Sequence, residues 1–253
     1  MTQAMPPSLR IELLTSPDIG RAIQSGMTTA VVPCGAIEQH GPHLPLCMDS
    51  DHADRLGLLV AARLGHALIA PTIRVGCSSH HMGFAGTVSL RPETFEALCR
   101  DYCESLAAHG FTRILLFSAH VGNCPVLADI LPRLQQAVPD TCEVNAFTDS
   151  TAWLKTWKAA VEAAGGPGAN VGGHADIAET SLMLVLRQES VQMQRAEPGH
   201  PGLLSEAERK LMWRDGIGGI SANGILGDPR GASAAIGERC LDDMADLLVG
   251  FFE

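Results

Sequence analysis

At 253 residues with 46% apolar side chains, the chain has enough material for the core of one α/β domain, taken here as 1–253. Its 28 acidic against 18 basic side chains leave a net charge of -10, which argues against nucleic acid or an anionic membrane as partner, because phosphate binding needs concentrated positive charge. No apolar run reaches the roughly 18 residues of a bilayer span, and the start MTQAMPPSLRIELL lacks the basic-then-apolar order of a signal peptide, so a cytoplasmic location is expected.

In chain order, the apolar run TTAVVPCG (28–35) reads as a buried strand, and DHADRLGLLVAARLG after it repeats its apolar positions at helical spacing. ALIAPTIRV (67–75) returns to β-type composition. RPETFEALCRDYCESLAAHG starts with Pro92 at a favourable first helical position and stops at Gly110. RILLFSAH is the next short apolar run, and CPVLADILPRLQQAV, EVNAFTDS and TAWLKTWKAAVEAAGG continue the alternation. Strands this uniformly apolar belong between two helical layers, which predicts a three-layer α/β/α sandwich with a mostly parallel sheet. GGPGANVGG (165–173) reads as a flexible active-site loop. The eight cysteines (34, 47, 77, 99, 103, 124, 142, 240) form no C-x-x-C pair and read as free thiols filling the core. Trp153 and Trp157, four apart, read as one packed helix face.

GAIEQHGPHLPLCMDSDHA (35–53) crowds histidines and carboxylates behind the first strand. Ligands in open α/β sheets gather outside the carboxyl ends of the strands, so Glu38 and His40 are expected to share a pocket there. Asp49 follows after an excursion stiffened by Pro42 and Pro45. His120 ends the ILLFS strand and is sent to the same edge, while His174 and Glu179 lie in GGHADIAETSLMLVLR. This mixed set of imidazoles and carboxylates suits zinc, manganese or iron. A carboxylate able to bridge two cations, with ligands for each, is the equipment of a two-metal hydrolase. His174 is a candidate to carry a proton to the leaving nitrogen. Glu179 has an alternative reading as a helix-start carboxylate, and His174 as a packing residue. His80 and His81, being adjacent, are expected to divide, one toward substrate and the other toward the surface. His43 and His52 are expected to donate hydrogen bonds that hold the ligands in place.

PCGAIEQHGPHLPLCMDSD, GFAGTVSL, SAHVGN, GGHADIAETSLML and GILGDPRGAS, in that order, resemble the creatininase (creatinine amidohydrolase) family over about residues 28 to 238. The resemblance implies a single domain, commonly a homohexamer, with a binuclear centre that hydrolyses cyclic amides or related C–N bonds. It makes Glu38 and His120 ligands of one metal, His40 of the other, and Asp49 the bridge. It completes the second set with Glu179 and gives His174, and with it Glu179, a catalytic part. Ser78, Ser79 and His81 fall in its substrate-contacting segment. Gly122 stands where creatininase proper has a metal-binding glutamate, Val121 where it has a substrate-contacting tyrosine, and Asn170 where it has a tryptophan. These departures argue against creatinine itself. The expected function is metal-dependent hydrolysis of a small cyclic amide or lactam, with a peptidase-like or non-catalytic metal-binding role as the alternative.

Overall fold

The computed structural model describes residues 6–253; residues 1–5, the beginning of the stretch examined for a signal peptide, lie outside the described residues. A capping box between Thr15 and Asp18 starts α1 (Ser16–Gln24), which leads to β1 (Thr29–Cys34). Next come α2 (Met48–Leu64), β2 (Ala67–Ile69), α3 (Pro92–Ala108) and β3 (Arg113–Ser118). The sheet closes with α4 (Cys124–Gln136) and β4 (Glu143–Phe147). All three pairings are parallel in the order β2-β1-β3-β4, with Thr29 through Cys34 matched to Arg113 through Ser118.

Strand side chains alternate between two cores, which explains why the strands are apolar throughout. Val31, Leu115 and Phe117 enter one core with α2 and with α5 (Ser150–Ala163), α6 (Ile177–Leu186) and α8 (Ala234–Phe252). Ala30, Val32, Ile114 and Leu116 enter the other with α1, α3 and α4. The result is the expected α/β/α sandwich. Trp153 and Trp157 are fully buried in the first core, as their spacing predicts. All eight cysteines are free, and all but the half-buried Cys47 are buried. Among the described residues no helix is long and apolar enough to cross a membrane.

Outside the main sheet, β5 (Val171–His174) pairs antiparallel with β6 (Leu226–Gly227). Most of the glycine-rich stretch is held by packing, which corrects the reading of it as a flexible loop. A Cβ on Gly166 would meet Ile236 Cδ1 at 2.8 Å, and one on Gly172 would meet Gly227 N at 2.3 Å. A surface helix, α7 (Glu206–Asp215), starts with a Ser205–Glu208 capping box and has no buried residue.

Candidate metal centre

Six candidate residues come from five places along the chain and meet at the carboxyl edge of the parallel sheet. Glu38 and His40 lie in the loop after β1, and His120 follows β3. Asp49 is in the first turn of α2, where the positive end of the helix dipole favours a carboxylate. Gly35 lets that helix come close, because a Cβ there would fall 2.5 Å from Ser50 Cα. His174 ends β5 and Glu179 lies in the first turn of α6. All six are at least nine-tenths buried.

The two oxygens of Asp49 face different neighbours. Oδ1 lies 3.3 Å from His40 Nε2, and that nitrogen lies 3.6 Å from Glu179 Oε2. Oδ2 lies 3.5 Å from His120 Nδ1, which is 3.3 Å from Glu38 Oε1. Two sets of donor atoms thus converge, Glu38, Asp49 and His120 in one and His40, Asp49 and Glu179 in the other, each within 4.8 Å. Glu38, His40 and His174 form a third such group.

Each imidazole is turned by a bond from its far nitrogen. His40 Nδ1 donates to Glu38 O at 3.0 Å, and His120 Nε2 donates to Cys77 O at 3.2 Å. His174 Nε2 donates to Gln39 O at 2.8 Å. A donor bond on one ring nitrogen leaves the other with its lone pair, here directed among the carboxylates. Glu38 Oε1 and Oε2, His40 Nε2 and Asp49 Oδ2 are buried with no hydrogen-bond partner. Buried polar atoms in that state are costly, and a divalent cation would satisfy them together. The residues therefore fit metal ions, and the nitrogen and oxygen donors suit zinc or manganese.

With no cation between them, the carboxylates draw a proton onto two of the rings in its place. Burial opposes charge on His40, but Asp49 and Glu179 outweigh it and raise its pKa to about 10. Burial is likewise outweighed at His120, where Glu38 and Asp49 carry the value up to about 9. Burial pushes Asp49 up and Glu179 well up. Glu38, buried as deeply, is held well below the usual range by His120 and His81. Burial, helped by His40 and His81, pushes His174 well down, so it is a neutral imidazole at pH 7.

A cavity of about 400 Å³ opens onto this cluster. Asp49, His81, His120, His174 and Glu179 line it, whereas Ser78 and Ser79 do not. Ser78 is buried and Ser79 is exposed, so of the three expected substrate contacts only His81 faces the cavity. His80 and His81 do not divide between site and surface: both are buried, and His81 Nε2 lies 3.3 Å from Glu38 Oε1. His80 stacks on His120 at 5.6 Å and 12°, and it also lies against His81 at 4.2 Å and Trp213 of α7 at 4.3 Å. That stack occupies the place beside Gly122, where a Cβ would meet His120 Nε2 at 2.2 Å and His80 Cε1 at 2.9 Å.

His43 bonds Thr180 Oγ1 at 2.8 Å on α6, one residue from Glu179. His52 makes no hydrogen bond to a ligand; it is buried between Trp153 and Trp157, and burial lowers its pKa to about 3. Two positioning residues escaped sequence reasoning. Asn123 accepts from Cys77 N at 2.8 Å and donates to Gly35 O at 3.1 Å and Ser118 Oγ at 3.0 Å, tying three loops of the site together. Gln39 Nε2 donates to Gly224 O at 3.1 Å and to His81 Nδ1 at 2.8 Å. Their only local signal is a polar residue lodged inside the E-Q-H and H-V-G-N stretches.

Comparison with known proteins bears on this geometry. Residues 12–252 match the creatininase family model, described as creatinine amidohydrolase. A mycofactocin precursor peptide peptidase of Mycobacterium ulcerans (strain Agy99) is 32% identical over 232 residues, covering 88% of this chain and 84% of the relative. A solved structure titled "Creatininase Mn" is 25% identical with a TM-score of 0.76, covering 97% of this chain and 99% of the other. A variant creatininase of Zn-Zn type is also 25% identical, with a TM-score of 0.75 over 97% and 98%. The chain belongs to the creatininase family of metal-dependent amidohydrolases.

Proposed function

We propose that the protein hydrolyses an amide C–N bond of a peptide-like substrate with two divalent ions, zinc or manganese and alternatively iron. The observation that carries this reading is the divided carboxylate of Asp49, one oxygen toward His40 and Glu179 and the other toward His120 and Glu38. Asp49 would bridge, Glu38 and His120 would hold one ion, and His40 and Glu179 the other. When bound, such ions polarise a carbonyl and make water a nucleophile near neutral pH. Glu179, its Oε2 held by Ala175 N, keeps its carboxylate beside His40 and, as a ligand, takes part in the chemistry. His174 presents Nδ1 to the cavity 3.6 Å from Glu38 Oε1 while Nε2 is anchored on Gln39 O. Neutral at the outset, it accepts at Nδ1 the proton that the attacking water gives up and passes it to the leaving nitrogen. His81, in the cavity wall, contacts substrate.

The peptide-like substrate is favoured by the relative named as a peptidase, which matches over most of both chains. A small cyclic amide or lactam is the second reading, supported by the family's description as creatinine amidohydrolase and by a cavity of only about 400 Å³. A panel of short peptides and lactams separates the two. His174→Ala tests the site: turnover is expected to fall by roughly 10²- to 10⁴-fold, in kcat more than KM, with metal content retained. Parent-rate hydrolysis at full metal occupancy would show His174 to be structural. We further propose a cytoplasmic homohexamer, as the family resemblance implies.

A further inference from the structure

We infer that Lys155 and Arg209 form a carboxylate-binding pair in the wall of the metal cavity, so that the substrate carries a free carboxylate beside the amide that is cut. This rests on the amidohydrolase reading above and names its substrate class. Among the described residues, every arginine and lysine except Arg55, Arg91, Lys155, Arg195 and Arg209 is in an ion pair. Two of those exceptions, Lys155 and Arg209, line one cavity. Among the described residues, the acids in its wall are Asp49 and Glu179, both within the candidate metal clusters. Beyond those clusters the wall therefore has two unpaired cations and no anion, in a chain whose net charge is -10.

The neighbouring charges are already engaged. On α5, Lys158 pairs with Glu162, and the residue one turn before Lys155 is the neutral Thr151. On α7, Glu206 pairs with Lys210, and Glu208 accepts from Ser205 and His200. Arg209 Nη1 donates to Leu204 O at 2.9 Å, which fixes one side of the guanidinium and leaves its other N–H groups for a ligand. The facing strand β5 contributes Gly172 and Gly173, which carry no charge. Leu154, Leu203, Leu204 and Met212 supply apolar surface in the same wall, while Lys155 and Arg209 are themselves exposed at its rim and attract as surface charges do. A guanidinium and an ammonium from two separate elements suit the two oxygens of a carboxylate.

Hydroxamates, which chelate divalent ions, serve as probes for zinc- or manganese-loaded protein in titration calorimetry. One pair is the monohydroxamate of succinic acid and its terminal carboxamide; the other is malonyl monohydroxamate coupled to alanine and to alaninamide. The free acid of at least one pair is expected to bind up to about tenfold more tightly, as two exposed charge pairs supply, with the gain shrinking at high salt. In the double variant Lys155→Met, Arg209→Met the acid-to-amide ratio should approach one, whereas Lys155→Arg should keep it. A gain in the first pair alone marks small amido acids, and a gain in the second marks a peptide C-terminus. Equal binding of acid and amide by the parent in both pairs, or a ratio that survives the double substitution, overturns the inference while leaving the metal centre standing. If loaded protein binds no hydroxamate, or takes up no metal, the amidohydrolase reading fails and the carboxylate pair falls with it.

Discussion

Asp49 is buried, its charge is opposed by burial, and its oxygens point to two separate sets of donors. Asp49→Asn keeps the volume but replaces one acceptor oxygen with a donor amide. Both ions are expected to weaken together, each by at least about 100-fold, the upper range for loss of even an outer partner of a ligand. Elemental analysis against a calibrated chelator measures this, and retention of one tight ion with loss of the other would refute the bridge. That Glu38, His40, Asp49, His120, His174 and Glu179 meet at one place was legible in the sequence, because each follows or ends a strand or opens a helix. Gln39, Asn123 and the inward turn of His80 were not, because their roles depend on Gly224, Gly35 and Trp213, which are remote in sequence. His52 was misread for a related reason: it lies three residues after Asp49 in sequence, but its neighbours in space are tryptophans.

At the scale of elements, Asp176 joins β5 to α6. Its Oδ1 accepts from Ala178 N and Glu179 N at the helix start, and its Oδ2 accepts from Gly172 N and Gly173 N in the strand. One carboxylate thereby sets His174 against Glu179. Asp176→Ala leaves four backbone donors to find other partners, and about 2–4 kcal/mol of stability should be lost. Denaturant midpoints at constant m measure it, and a change below about 0.5 kcal/mol would mean that water replaces the cap without cost. The strands were readable because both faces are buried, so composition alone marks them. The start of α2 was not: Cys47 gives no side-chain cap, and nothing in LPLCMD announces that Asp49 is already helical. The two-residue β6 is defined by its pairing with β5, which no local pattern encodes.

At the scale of the whole molecule, the layered sandwich follows from the alternation of apolar strands and amphipathic helices, and that much was legible from the sequence. Assembly is a separate matter, since a surface between copies uses no special local pattern. Leu13, Met82, Val88 and Phe251 are at least 45% exposed, a supply of apolar surface that an oligomer would cover. Light scattering is expected to give a mass near six times the 26.8 kDa of one chain. A monomer at micromolar concentration would refute the hexamer without touching the metal centre.

The ring stack beside Gly122 has an evolutionary consequence. A side chain at that position collides with His120 and His80 together, so Gly122 and His80 are not independent characters. A glutamate at this position would therefore require both rings to move from the places they hold here. Trp213, 4.3 Å from His80 on the surface helix, limits how far that ring can move and so links a third position to the same packing. Positions 80, 122 and 213 are therefore expected to tolerate change together better than singly, because one packing arrangement joins them.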